Sequence, residues 1–223
     1  MKTKLITALL FTLAILLSIC TGCKSHSSAP DEPTDSLTTG GGPYARKPNI
    51  YIYPLTEMVV SVRLGFPLGG TVIQSSPTYS GEWKVEVKPT GTINNTFGCL
   101  FYECQTPDAY QHNSGWLISR DSLSTFFKTN LSESGFNERE ISDFTEYWIP
   151  RLTEYSHFTI YPQYSSDIEK MITLTISPLP DNVLRLFYVI KGSTESDAAI
   201  SKPIIPKFNR SGFVVAEWGV VLE

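Results

Sequence analysis

Residues 123–150 read LSTFFKTNLSESGFNEREISDFTEYWIP, and the periodicity of this stretch decides the fold class. Leu123, Phe126, Phe127 and Leu131 recur at helical spacing, with Asp121 placed as a cap and Gly135 just beyond the end. Asn137 then opens a second helix. Glu140 stands at its third position to complete a capping box, and Phe136 and Ile141 are spaced as a hydrophobic staple. Ile141, Phe144 and Trp148 form the buried stripe of that helix, and Pro150 marks its end. Each stripe is the core-facing side of an amphipathic helix, so the two helices form a pair that must pack on something flat.

The flanking sequence supplies the flat partner. Upstream, Met58, Val60, Val62, Leu64 and Phe66 share one face of an alternating segment, with Ser61 and Arg63 opposite. Between Glu82 and Lys88, Trp83, Val85 and Val87 point one way and four charged side chains the other, which is a half-buried antiparallel strand. Gly69-Gly70, Ser80-Gly81 and Pro89-Thr90-Gly91 supply turns. Downstream, Phe158–Tyr161 and Met171–Ile176 resume the strands. Val183–Ile190 and Phe213–Leu222 are apolar on both faces and are expected at the centre of a sheet. The expected class is α+β, a mostly antiparallel β-sheet domain with an inserted pair of α-helices.

The chain has 223 residues, and its beginning is of a different character. Lys2 and Lys4 precede an apolar run from Leu5 to Ile19, too short to span a bilayer, and the segment closes on Gly22-Cys23. This is the form of a bacterial lipoprotein signal. Residues 1–22 are expected to be removed and Cys23 to become the diacylated N-terminus. Residues 23–46, rich in Ser, Thr, Pro and Gly, form a lipidated flexible linker with a reach of roughly 25 Å. Residues 47–223 form one globular domain. The expected location is the cell envelope, the outer membrane if the cell is Gram-negative. Loss of Lys2 and Lys4 leaves 16 basic against 22 acidic side chains, a balance that lacks the electrostatic footprint of a nucleic-acid binder. It also disfavours general adsorption to anionic lipid.

Cys99 and Cys104 lie five positions apart, which on a continuous strand puts them on opposite faces and out of bridging geometry. His26, His112 and His157 have no partner at metal-ligand spacing, so no metal or cofactor is expected.

Several phrases resemble a family of bacterial proteins of uncharacterised function. Pro48–Pro54 (PNIYIYP) is similar to its KPVIYLYP, Phe101-Tyr102-Glu103 to its LFWEG, and Gly135–Pro150 to its GLNEKEINEFIVYWLP. Pro180–Val189 (PDNVLRLFYV) is similar to PDxxxRVFMV, and Gly212–Gly219 (GFVVAEWG) to GFxVVEWGG. The resemblance runs in order from Lys47 to the C-terminus and implies no activity. Two departures stand out: Tyr102 replaces Trp, and Cys104 replaces the Gly after the Glu.

Three charged residues fall where strand patterning predicts burial: Glu103 beside Cys99 and Phe101, Arg185 beside Val183 and Phe187, and Glu217 beside Val215 and Val221. A buried carboxylate needs a partner, so Arg185 is expected to neutralise Glu103, Glu217 or both. Such a network is structural. The same two acids, with Tyr53, Trp83, Trp116, Tyr147 and Trp218 as a ring-lined cleft, would alternatively suit binding or hydrolysis of a glycan. The expected function is a non-enzymatic envelope module that binds a carbohydrate or protein partner, with an envelope glycan hydrolase using Glu103 and Glu217 as the rival.

Overall fold

The computed structural model describes residues 44–194 and 200–223. The signal, Cys23 and nearly all of the expected linker lie outside the described residues. Ten strands and three helices follow in the order β1 (Tyr44–Tyr53), β2 (Met58–Gly65), β3 (Thr71–Ser76), β4 (Trp83–Val87), β5 (Leu100–Gln105), β6 (Trp116–Ser119), α1 (Leu123–Ser134), α2 (Glu138–Trp148), β7 (His157–Tyr164), the single turn α3 (Ser165–Ile168), β8 (Thr173–Ser177), β9 (Asn182–Ser193) and β10 (Val214–Leu222).

Seven strands form one sheet in the order β3-β5-β1-β10-β9-β7-β6, and three form a second in the order β4-β2-β8. All pairings are antiparallel except β9 with β10. That parallel pair is joined by the long connection from 194 to 213, as a parallel crossover requires. The fold is α+β, with the helix pair inserted between β6 and β7.

Three layers result. The three-stranded sheet covers one face of the large sheet, burying Val60, Val62, Trp83, Val85, Val87 and Ile176 against Leu100, Tyr102, Val189 and Val215. On the other face α1 and α2 bring Phe127, Leu131, Phe144 and Trp148 onto Tyr51, Leu186, Tyr188 and Trp218. Because β10 lies at the centre of this stack, every residue from Val214 to Val221 is buried. Phe144 meets Trp218 edge-on at 5.2 Å and Phe127 meets Tyr188 at 5.3 Å, arrangements that align ring edges with ring faces. Both cores are complete within one compact unit, and no helix among the described residues is long and apolar enough to cross a membrane.

The helix termini follow local chemistry. Asn137 caps α2, its side chain accepting from the Glu140 N–H at 3.0 Å while Glu140 accepts from the Asn137 N–H at 2.8 Å. Gly135 ends α1 in the left-handed region at φ 104°, donating to Leu131 and Ser132 carbonyls. Asp121 does not cap α1. It sits inside a 3-10 turn, Arg120–Ser122, and Ser122 takes the cap position without a side-chain bond. The first strand begins at Tyr44, upstream of the expected domain boundary at Lys47, because Tyr44 and Ala45 pair with Gln105 and Cys104. Cys99 and Cys104 are both free thiols.

Candidate functional site

The parallel register sets Glu217 opposite Arg185, and both side chains turn into the layer between the sheets. Arg185 Nε donates to Glu217 Oε2 at 2.5 Å, and the side chains are 1% and 0% exposed. Tyr102 donates its hydroxyl to Glu217 Oε1 at 2.7 Å, and Arg185 Nη1 donates to the Ile172 carbonyl at 2.8 Å. Burial opposes charge on Arg185, yet Glu217 and Tyr102 beside it outweigh burial and raise its pKa. Trp83 completes the wall, its ring 6.3 Å from Tyr102 and its indole N–H donating to the Pro77 carbonyl at 2.7 Å. Arg185, Glu217 and Tyr102 thus form a buried clamp between layers, with Trp83 packed on its tyrosine.

Glu103 is elsewhere. In β5 it is Leu100, Tyr102 and Cys104 that are buried, while Phe101 and Glu103 are half-buried on the helix face. The expected burial phase is reversed. The two acids therefore point to opposite faces of the large sheet, and no single cleft holds both; the acid/base pair expected of a glycosidase does not form.

What Glu103 meets instead is Lys47. The register of β1 shifts between Arg46 and Asn49, a bulge in which Lys47 takes φ 54°. The Lys47 N–H, displaced from the ladder, donates to Glu103 Oε1 at 3.3 Å. Lys47 Nζ stands 4.8 Å from the Phe101 ring centre and 4.6 Å from that of Tyr147. Arg151 stacks on the same Tyr147 ring at 3.8 Å and donates to the Tyr147 carbonyl at 2.8 Å. Burial lowers the Lys47 pKa, and the nearby Cys99, Glu103 and Asp143 only partly restore it. Cys99, half-buried beside them, has its thiol pushed up to about 12, chiefly by desolvation and then by Asp143.

Helix α2 builds the other wall of this ledge. Arg139, Asp143 and Tyr147 recur every four residues, the spacing of one helix face, and Arg151 follows at the same interval from the 3-10 turn Ile149–Arg151. Asp143 accepts from Tyr51 Oη at 2.9 Å, and Asn49 Nδ2 donates to the same hydroxyl at 3.3 Å. Asn49 Oδ1 is buried with no hydrogen-bond donor among the described residues. Gly98 lies at the rim with the movable end of the Arg139 side chain laid directly over it.

The other expected aromatic residues are dispersed. Tyr53 accepts from Asn137 Nδ2 at 3.2 Å and carries Arg210 over its ring at 5.0 Å. Trp116 is on the edge strand β6, edge-on to Phe126 at 5.3 Å. Trp218 is buried under α2, donating its indole N–H to the Glu140 carbonyl at 3.1 Å. Two shallow surface depressions, of about 390 and 400 Å³, are lined by Lys128, Glu138 and Ile141 and by Leu68, Thr71 and Pro107. Neither includes an expected site residue. Of the eight expected binding residues, Arg185 and Glu217 meet in the buried layer between the sheets, and Glu103 and Tyr147 come together at the surface through Lys47, which the sequence pattern did not single out.

No family model matches the chain, and neither a curated protein nor a solved structure is similar to it.

Proposed function

We propose that the chain is a lipid-anchored module of the bacterial cell envelope, tethered through Cys23, that binds a protein partner through the ledge around Lys47 and performs no catalysis. The observation that carries this reading is the stack Arg151–Tyr147–Lys47–Phe101, in which Arg151 is exposed, the other three are half-buried, and Lys47 is set by a bulge. Arginine and tyrosine of this kind dominate the energetics of protein interfaces. A protein is favoured over a glycan because the rings nominated for sugar stacking are engaged: Tyr147 by two cations, Tyr53 by Arg210, Trp116 by Phe126, and Trp83 and Trp218 by the cores. Hydrolysis by Glu103 and Glu217 has the opposed orientation of the two carboxylates against it.

The test is capture from cross-linked envelope extract by wild-type protein and by the double variant Lys47→Glu/Arg151→Glu. Loss of at least one interface anchor should reduce the captured partner about tenfold, in a variant whose circular-dichroism spectrum matches the wild type. Equal capture by both proteins, or binding to a glycan array that survives both substitutions, would overturn the reading.

A further inference from the structure

The segment from Ile200 to Gly212 crosses from β6 to the start of α2 without regular structure, and it is fastened at both ends. Gly115 N–H donates to the Ser201 carbonyl at 2.9 Å. At the other end Arg210 grips Glu140 with both terminal nitrogens, at 2.6 and 3.0 Å, and Phe208 packs on Gly135. Between these points the sequence is Lys202-Pro203-Ile204-Ile205-Pro206-Lys207. The two prolines restrict the backbone, and Ile204 is held outward with 89% of its surface exposed.

Two other apolar tips are similarly exposed, Leu179 at 86% and Leu55 at 71%. Their settings differ. Leu179 precedes Asp181 and Leu55 precedes Glu57, whereas Ile204 lies between Lys202 and Lys207 and no acidic residue occurs between Ile200 and Gly212; the third base of that stretch, Arg210, is neutralised by Glu140. In a chain of net charge −4 this is a local reversal of sign.

We infer that the strap is a membrane contact, in which Ile204 enters the acyl boundary of an anionic bilayer and Lys202 and Lys207 meet its headgroups. An apolar side chain framed by lysines has the composition of an interfacial anchor, and the flanking charges fit negative headgroups where the acid-flanked tips would be repelled. Nearness to a bilayer comes from the lipid-anchor reading. On that reading the two acyl chains hold the protein by themselves, and the strap sets how the domain lies against the bilayer. The docking is separable from the anchor because the chain from Tyr44 onward carries both cores.

That chain is tested by co-sedimentation with vesicles of phosphatidylglycerol and phosphatidylcholine in equal parts, and with phosphatidylcholine alone. Binding is expected only to the anionic vesicles and should fall with added salt. Lys202→Ala and Lys207→Ala should each weaken it about fivefold, and Ile204→Ser about tenfold. Leu179→Ser should leave it unchanged, and all variants should keep the wild-type melting temperature. Absence of vesicle binding, equal binding to neutral vesicles, or a loss shared by Leu179→Ser would overturn the proposal. So would retention on poly-glutamate without vesicle binding, which would assign the strap to an acidic protein. None of these results bears on acylation of Cys23, which palmitate labelling of the full chain reads separately.

Discussion

Replacing Arg185 by leucine isolates the fully buried carboxylate of Glu217, leaving it one donor, the Tyr102 hydroxyl at 2.7 Å. Removing one member of a buried ion pair typically costs about 3–5 kcal/mol, because the remaining charge is left desolvated. Two smaller effects nearly cancel. The Ile172 carbonyl loses its Nη1 donor, at about 1–3 kcal/mol, while the standing penalty of Arg185 Nη2, buried without a partner, disappears and returns a similar amount. The expected loss therefore stays near 3–5 kcal/mol. Glu217→Leu in the same chain should recover most of it, since an apolar pair replaces a buried ion pair at little net cost. Adding Tyr102→Phe removes the hydroxyl then left without an acceptor. Urea unfolding of the single and double variants, read at constant slope, gives the coupling directly. A single-variant loss under about 1 kcal/mol, or a double variant as unstable as the sum of the singles, would refute the clamp.

Three further outcomes are expected. Asn137→Ala removes half of the α2 capping box and should cost about 1 kcal/mol; a neutral alanine variant would mean that Glu140 and Arg210 alone fix the helix start. Stability should decline as pH rises above 9, because Cys99 is raised from 9.0 to about 12 and Tyr51, Tyr102 and Tyr188 are raised too. Raised groups stabilise fully below their unfolded pKa and lose that contribution as pH climbs towards the folded value; Lys47, lowered, opposes the trend weakly, and a melting temperature unchanged above pH 9 would contradict the burial of these groups. Cys23→Ala should abolish palmitate labelling and leave the signal uncleaved, so label persisting in that variant would defeat the lipoprotein assignment.

Local chemistry made part of this fold legible. The α2 capping box is written in Asn137 and Glu140, and the alternation of 58–64 and 83–87 fixes which faces of β2 and β4 are buried. Two-sided apolarity marked β9 and β10 as central. Their parallel pairing was not legible, since it depends on a long connection whose path no local pattern encodes. Nor was the division into two sheets, because the second sheet depends on β2 pairing with β8, more than 100 residues later, which no local pattern encodes. The reversed phase of β5 has a specific cause. Cys99 and Phe101 on one side and Leu100, Tyr102 and Cys104 on the other are both apolar enough to bury, and the choice falls to a tertiary contact, Tyr102 reaching Glu217. The ledge was hidden for a similar reason. The spacing of Arg139, Asp143, Tyr147 and Arg151 was readable, but nothing in the sequence announces that Lys47 occupies a bulge and turns its amine onto two rings.

The ledge is tested most directly in living cells, by placing a photo-crosslinking phenylalanine analogue at position 147 and, as a control, at the exposed Leu179, near the end of β10 remote from Lys47. A discrete protein adduct from position 147, lost when Lys47→Glu is added and absent from position 179, is the predicted result. No adduct at 147, or the same adducts from both positions, would contradict the assignment of this face to a protein partner.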